Sequence, residues 1–389
     1  MPQGGIRLAV FHASVGTGHT AAAMAIREWC LALYPESEVM FRDLMNYAPR
    51  WLDGCVTSSY LFLARRHPWM WERLYRDTDV RSGLVSGFWN GLGRGISRAF
   101  LGKLHHEVRE FRPDAVITTH FFGMSALLDT WEHSVPIYYA GTDYATHLLQ
   151  RDPRFDGWFV GSEEAARQYR ADSIPASEVT VKNFGIPVAK VYSRPPDREA
   201  SRHALEVGNG TVMVTITGGG IGAGALGVVA DSMLDHTEWR VEVLCGDNTR
   251  AYETMRDKYF PFKHMNVRGY VKDMQNYYAA SDVVVMKPGG LTAAEAASCG
   301  AVMLLLDPLP GVERYNCDYL LEQGAARKIY ENRRAGEQIG DILKSPSELR
   351  RLRLRARTVG RPFAARDIVR FVAESVGHEG GASIGAEDI

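Results

Sequence analysis

Three glycine-rich loops carry most of the chemistry open to this sequence. The first, Ala13-Ser14-Val15-Gly16-Thr17-Gly18-His19-Thr20, follows the apolar run Ile6–Phe11 and precedes an alanine-rich helical stretch ending before Pro35. Glycines at such a junction allow a tight turn that aims backbone N–H groups and the positive end of a helix at whatever lies in front. His19 stands at the helix start, where a histidine can take a proton from a hydroxyl near neutral pH. Two other readings of the loop stay open. The stretch from Gly16 to Ala21 also satisfies the dinucleotide fingerprint, with Asp43 as a ribose partner, and a histidine in this place can simply cap a helix.

The second loop, Thr217-Gly218-Gly219-Gly220-Ile221-Gly222-Ala223-Gly224, again follows an apolar run. So many glycines let backbone donors approach phosphate oxygens closely, which a merely tight turn would not require. The third is Lys287-Pro288-Gly289-Gly290-Leu291-Thr292-Ala293-Ala294-Glu295. Here Gly289 and Gly290 open a helix whose first turns hold Thr292 and Glu295. A carboxylate there can accept hydrogen bonds from a ribose diol while the helix N-terminus faces phosphates. Taken alone, Glu295 reads as an ordinary exposed helix residue. Three loops together suit a nucleotide-sugar held in a cleft between two domains, whereas a dehydrogenase needs one phosphate loop.

The elements that must position these loops are short apolar runs separated by helical patterns. Ala115–Thr118, Ile137–Ala140 and Trp158–Val160 read as buried parallel strands in the first half, and Val212–Thr217, Val241–Cys245, Val283–Met286 and Val302–Leu306 in the second. That alternation predicts an α/β protein with two doubly wound sheets. A length of 389 residues also suits two domains. The proline-rich stretch Pro187–Asp197 is the expected linker, giving an N-terminal domain over residues 1–190, a C-terminal domain over 191–376 and a flexible glycine-rich tail over 377–389.

Composition narrows the function classes. A formal net charge of −1 gives the molecule no bulk attraction for nucleic acid or anionic lipid, so any such attraction must be local. The five cysteines form no C-x-x-C pair and are odd in number, which reads as reduced thiols rather than a disulfide framework or zinc site. No apolar run approaches the ~20 residues that span a bilayer, and entry into a strand at residue 6 leaves no room for a signal peptide. The expectation is a cytoplasmic protein, peripheral on the cytosolic face of a membrane.

One segment breaks the α/β rhythm. From Leu61 to His106 there are eight Lys or Arg, among them Arg65 and Arg66, against Glu72, Asp77 and Asp79. Four of the eight tryptophans fall between Trp51 and Trp89, including Trp69 and Trp71. Aromatic rings mixed with arginines suit a membrane interface, with cations facing anionic lipid; an amphipathic helical insertion packed on the first domain, about residues 51–106, suits them equally. A second basic stretch, Lys344–Arg370, has nine basic residues against Glu348 and Asp367. Asp77-Thr78-Asp79 has the form of a D-x-D metal motif, but it lies in a basic aromatic segment and not after a buried strand, so no metal is assigned there.

From about Leu8 to Phe371 the chain resembles the bacterial and plant diacylglycerol glycosyltransferases, including the monogalactosyldiacylglycerol synthases, which are related to the lipid-II-forming N-acetylglucosaminyltransferase. The likeness rests on Ser14-x-Gly16-x-Gly18-His19-x-x-Ala22, Cys245-Gly246-Asp247-Asn248 and Arg268-Gly269-Tyr270-Val271-Lys272-Asp273-Met274. It also rests on the Lys287–Glu295 loop and on Pro308-Leu309-Pro310-Gly311-Val312-Glu313-x-x-Asn316. The resemblance implies a glycosyltransferase B-type fold, a UDP-hexose donor as co-substrate, no cofactor or metal, a lipid acceptor such as diacylglycerol, and inversion at the anomeric carbon. It makes His19 the catalytic base. The donor would be bound by Gly219, Gly220, Gly222, Asn248, Gly289, Gly290 and Thr292, with Val271 reading uracil, Glu295 the ribose, and Glu313 and Asn316 facing the sugar. Gly16, Gly18, His120, Asp143 and His147 fall on the acceptor side, although either His120 or His147 can equally be a loop cap. The family's Trp51–Lys103 segment is where membrane and acceptor meet, which favours the interfacial reading of Trp69, Trp71, Arg65 and Arg66. Val312 stands where the family usually has glutamine, and valine cannot donate to a sugar hydroxyl, so the sequence does not name the hexose. A polyprenyl-linked or soluble acceptor, or a non-catalytic nucleotide-sugar-binding regulator, are the rival functions.

Overall fold

The computed structural model describes residues 5–47, 69, 73, 102–129, 135–171, 180–220 and 225–378. The chain forms two compact units, one of Met1–Lys190 with Leu309–Val312 and Phe363–Ile389, the other of Val191–Pro308 with Glu313–Pro362.

The first unit contains β1 (Arg7–His12), α1 (Thr17–Leu33), β2 (Glu38–Asp43), α2 (Gly102–Phe111), β3 (Ala115–Thr118), α3 (Met124–Asp129), β4 (Ile137–Ala140), β5 (Gly157–Phe159), α4 (Glu163–Ala171) and β6 (Thr180–Lys182). All pairings are parallel, in the order β2-β1-β3-β4-β5-β6. Both faces of the sheet are covered, which is why its central strands are apolar at nearly every position. Along β1 the pleat sends Leu8 and Val10 to a core shared with Ile26, Trp29, Cys30 and Leu33 of α1. Ala9 and Phe11 go to the other face, against Leu104 and Val108 of α2. Trp29 has no exposed surface, so Trp29→Ala would cost about 3–5 kcal/mol through lost burial and the cavity left behind.

The second unit contains α5 (Arg198–Ala204), β7 (Val212–Thr217), α6 (Leu226–Asp231), β8 (Trp239–Leu244), α7 (Thr249–Tyr259), β9 (Met265–Arg268), α8 (Met274–Ala280) and β10 (Val283–Met286). It continues with α9 (Gly290–Ser298), β11 (Met303–Leu305), α10 (Val312–Glu322), β12 (Ala326–Lys328), α11 (Ala335–Leu343) and α12 (Pro346–Val359). Its strands are again all parallel, in the order β12-β11-β10-β7-β8-β9. One carboxylate is fully buried in this sheet. Glu242 of β8 is clasped by Arg240 Nε and Arg268 Nε, each at 2.8 Å, so its charge is matched on both oxygens as burial demands. The pair ties the end of β9 to β8 and fixes the start of the loop that follows Arg268.

The last of the described helices, α13 (Ala364–Ser375), corrects the domain boundary expected from the sequence, which ran the C-terminal domain to residue 376. Ala365, Ile368, Val369, Val372 and Ala373 pack into the core of the first unit with Ile26 and Trp29 of α1. The physical reason is the apolar stripe at positions 365, 368, 369 and 372, a helical spacing that needs a partner surface. In each sheet the chain reverses its direction of strand addition once, between β1 and β3 in the first unit and between β7 and β10 in the second. Open α/β sheets place ligands beyond the carboxyl ends of strands at such points.

Candidate functional site

The first group gathers at the carboxyl ends of β1, β3 and β4. His19 is the third residue of α1, whose N-cap is Gly16 with Gly18 in its first turn. Its Nδ1 lies 2.7 Å from the carbonyl oxygen of Thr119. A carbonyl can only accept, so Nδ1 carries the proton and Nε2 keeps its lone pair. The Thr119 hydroxyl donates back to the His19 carbonyl at 2.9 Å, and the Thr142 hydroxyl, 3.2 Å from Nδ1, reaches the Asp143 carboxylate at 3.2 Å. Burial lowers the His19 pKa, while the Asp143 charge and the bond to Thr119 oppose that fall. The result is a neutral imidazole with a fixed tautomer and one basic nitrogen.

Two further histidines share this neighbourhood. His120 stands edge-on to His19 with ring centroids 4.5 Å apart and stacks on Phe121. Its Nδ1 accepts from the Phe122 N–H at 3.0 Å, and burial together with His19 and His12 holds its pKa well below the usual value. His12 ends β1 and lies against Phe41, with Nδ1 3.1 Å from the Thr20 hydroxyl. The sequence reading missed His12, Thr119 and Thr142, although each closes or follows a strand at its carboxyl end, a signal sufficient to have flagged them. His147 is the N-cap of a short 3-10 turn, accepting from the Leu149 N–H at 3.1 Å.

The second group forms at the switch point of the other sheet. Gly219 adopts φ +72°, a left-handed turn that favours glycine, and a Cβ there would stand 3.6 Å from the Thr292 hydroxyl of α9. Gly289 caps α9 and Gly290 begins it, so the glycine turn after β7 and the helix N-terminus after β10 share Thr292 between them. Gly246, at φ +57°, packs so tightly on this turn that a Cβ would collide with the carbonyl oxygens of Gly219 and Gly220. The Asp247 N–H bonds Gly220 O at 2.8 Å, and Asn248 caps α7 by accepting from the Ala251 N–H at 3.0 Å. The glycine turn after β7 and the N-terminus of α9 therefore meet here, an arrangement that suits a phosphate.

Glu295 lies further along α9, partly buried, and burial pushes its carboxyl up to about 8 despite a hydrogen bond from Tyr192. Tyr192 was missed because it falls in the stretch read as linker. A groove of about 610 Å³ runs past Leu205, Arg268, Val271 and Tyr277, with Tyr270 62% exposed on its wall. The structure treats the residues expected to face the sugar differently from one another. Glu313 receives an ion pair from Lys287 at 2.8 Å, while Asn316 is completely buried and brings no surface to the group.

Trp69 is exposed, whereas Arg65, Arg66, Trp71, Gly222 and the Asp77–Asp79 motif lie outside the described residues. Among the described residues no helix is long and apolar enough to cross a membrane, and no cluster of three His, Cys, Asp or Glu side chains is arranged to hold a metal ion.

Comparison with known proteins divides at the same place as the fold. Residues 19–188 match the family model for monogalactosyldiacylglycerol (MGDG) synthase, and residues 228–359 match that for glycosyl transferases group 1. The processive diacylglycerol beta-glucosyltransferase of Staphylococcus saprophyticus is 26% identical over 252 residues, an alignment covering 64% of each chain, less than two thirds of that relative. The same-named protein of Bacillus cytotoxicus is 25% identical over 383 residues, covering 95% of this chain and 93% of the other. A probable monogalactosyldiacylglycerol synthase 2 of Oryza sativa subsp. indica is 24% identical, covering 93% and 79%. Among solved structures, MurG of Acinetobacter baumannii superposes with TM-score 0.57 at 18% identity, covering 95% of this chain and 99% of that one. A putative UDP-N-acetylglucosamine 2-epimerase of Listeria monocytogenes does so with TM-score 0.64 at 15% identity, covering 95% and 96%. At these identities the structural likeness shows the fold alone, which is the glycosyltransferase B-type.

Proposed function

We propose that this chain, built on the glycosyltransferase B-type fold and matched half by half by glycosyltransferase families, transfers a hexose from a UDP-sugar to the hydroxyl of a lipid acceptor such as diacylglycerol, with inversion. The observation that carries the chemistry is the locked ring of His19. With Nδ1–H given to the Thr119 carbonyl, Nε2 is the nitrogen free to take the proton of an acceptor hydroxyl as the oxygen attacks the anomeric carbon. Asp143 then stabilises the imidazolium that forms, since its charge already raises the His19 pKa. The second unit holds the donor. The Gly219–Gly220 turn, Thr292 and the N-terminus of α9 take the diphosphate, and their donors meet the charge that develops on it as UDP departs. Glu295 accepts from the ribose diol, and the groove beside Val271 and Tyr270 takes the base. No metal is needed in this scheme.

The lipid acceptor is supported by the relatives named above, and the interfacial reading of the Trp51–Lys103 segment accords with it. The test is incubation with UDP-glucose or UDP-galactose and diacylglycerol in detergent, followed by mass spectrometry of the lipid phase, for wild type and for His19→Ala. A monohexosyl lipid from wild type and a loss of ~10²–10⁴-fold in the variant are expected. A variant of near-normal turnover would reduce His19 to a cap, and absence of any glycolipid would overturn the acceptor.

A further inference from the structure

We infer that the outer face of α12 is a second lipid-docking surface, recognising anionic phospholipid headgroups; its biological sense rests on the lipid-acceptor reading. The inner face of this helix is settled by packing. Leu352, Ala356 and Val359 are buried, Leu349 packs on the core of the second unit, and Arg353 turns inward to donate to Ser281 O. The opposite arc is a different surface. Arg350, Arg351, Arg355 and Arg357 are all exposed, and Leu354 stands among them 65% exposed. The one acid of the helix, Glu348, is already held by Arg351 and Arg327 at 2.8 Å each. A solvated helix face ordinarily mixes charges of both signs in similar number; this one sets Arg350, Arg355 and Arg357, besides the Arg351–Glu348 pair, around an apolar centre.

That combination selects its occupant. Guanidinium groups bind phosphate oxygens in a planar, two-pronged manner, and a phosphate array alone would satisfy them. Leu354 adds an apolar side chain able to enter the boundary between headgroups and acyl chains. A nucleic acid backbone would leave it in water. Arg350 and Leu354 are four apart, as are Arg351 and Arg355, so the side chains lie on one face of the helix and can meet a flat surface together.

The experiment is co-sedimentation with phosphatidylcholine vesicles with and without phosphatidylglycerol, using the full chain and no sugar donor. Because the Trp51–Lys103 segment is a separate expected contact, a Trp69→Ala/Trp71→Ala background isolates α12. In that background Arg350→Gln/Arg355→Gln should weaken binding to anionic vesicles by roughly 20–30-fold, each arginine near such a surface contributing about fivefold. Leu354→Ala should weaken it further in a way that added salt does not imitate. Binding of UDP by the variants, measured by calorimetry, reports that the second unit remains folded. Equal pelleting of the arginine variant and its parent would overturn the inference, as would a parent that is retained on heparin yet ignores anionic vesicles. Transfer to diacylglycerol in detergent is read separately, so loss of the acceptor reading and loss of this surface give different results.

Discussion

Glu295 offers a prediction whose size follows from its surroundings. In the free protein its carboxyl is pushed up to about 8 by burial, whereas a carboxylate accepting two ribose hydroxyls needs to be ionised. Donor binding must therefore release a proton at neutral pH, and affinity falls as pH drops below the free-state value. With a free pKa of about 8 and a bound carboxyl that stays ionised, the ionised fraction of the free protein falls from one half at pH 8 to ~1% at pH 6. A UDP-sugar should then bind about fifty-fold more tightly at pH 8 than at pH 6, roughly 2.3 kcal/mol. Its diphosphate diester titrates nowhere in that window. The neighbours do not either, since Tyr192 and Tyr278 are raised above the ordinary tyrosine value and Cys299 is pushed up to about 12, all chiefly by burial. Titration calorimetry at several pH values, in buffers of differing ionisation enthalpy, measures both the affinity and the proton released. Glu295→Gln should bind more weakly at pH 8 but with no pH dependence. Equal wild-type affinity at pH 6 and pH 8, or an unchanged slope in the glutamine variant, would refute the reasoning.

Two further outcomes follow from the first unit and from the donor loops. Asp143→Asn removes the charge that raises the His19 pKa, so the acid limb of kcat/KM should move to lower pH while the maximal rate falls by on the order of 10–100-fold, a less basic imidazole being a weaker base; a pH–rate profile reads both, and an unmoved limb would separate Asp143 from His19. Activity should persist in excess chelator if, as proposed, the diphosphate is met by backbone donors and a helix N-terminus; activity lost in chelator and recovered with magnesium or manganese would show that these donors do not suffice.

The central strands were legible in the sequence and three of the four edges were not, for one physical reason. β3, β4, β7 and β10 are covered on both faces and so are apolar at nearly every position. At the edges, β6 reads Thr-Val-Lys, β9 Met-Asn-Val-Arg and β12 Ala-Arg-Lys, runs too short and polar to stand out from loops. The glycine loops were legible because their spacing encodes a backbone need, met in the left-handed turn at Gly219. Side-chain partners were harder to read. Nothing local says that His19 would find a carbonyl one hundred residues away, or that Tyr192 would face Glu295, because both depend on which strands become neighbours. The apolar stripe of α13 was visible, but the choice of surface it covers is a tertiary decision.

That choice has a consequence for how the molecule is made. Residues 364–375 supply one wall of the core around Ile26 and Trp29, yet they leave the ribosome only after the whole second unit. Vectorial synthesis ordinarily lets a leading domain fold first. Here the leading unit must wait, with the apolar side of α1 uncovered, until the trailing unit has been translated. The nascent chain is therefore most exposed to aggregation midway through synthesis, and a gene cut after the second unit but before Ala364 would yield a first unit that depends on chaperones.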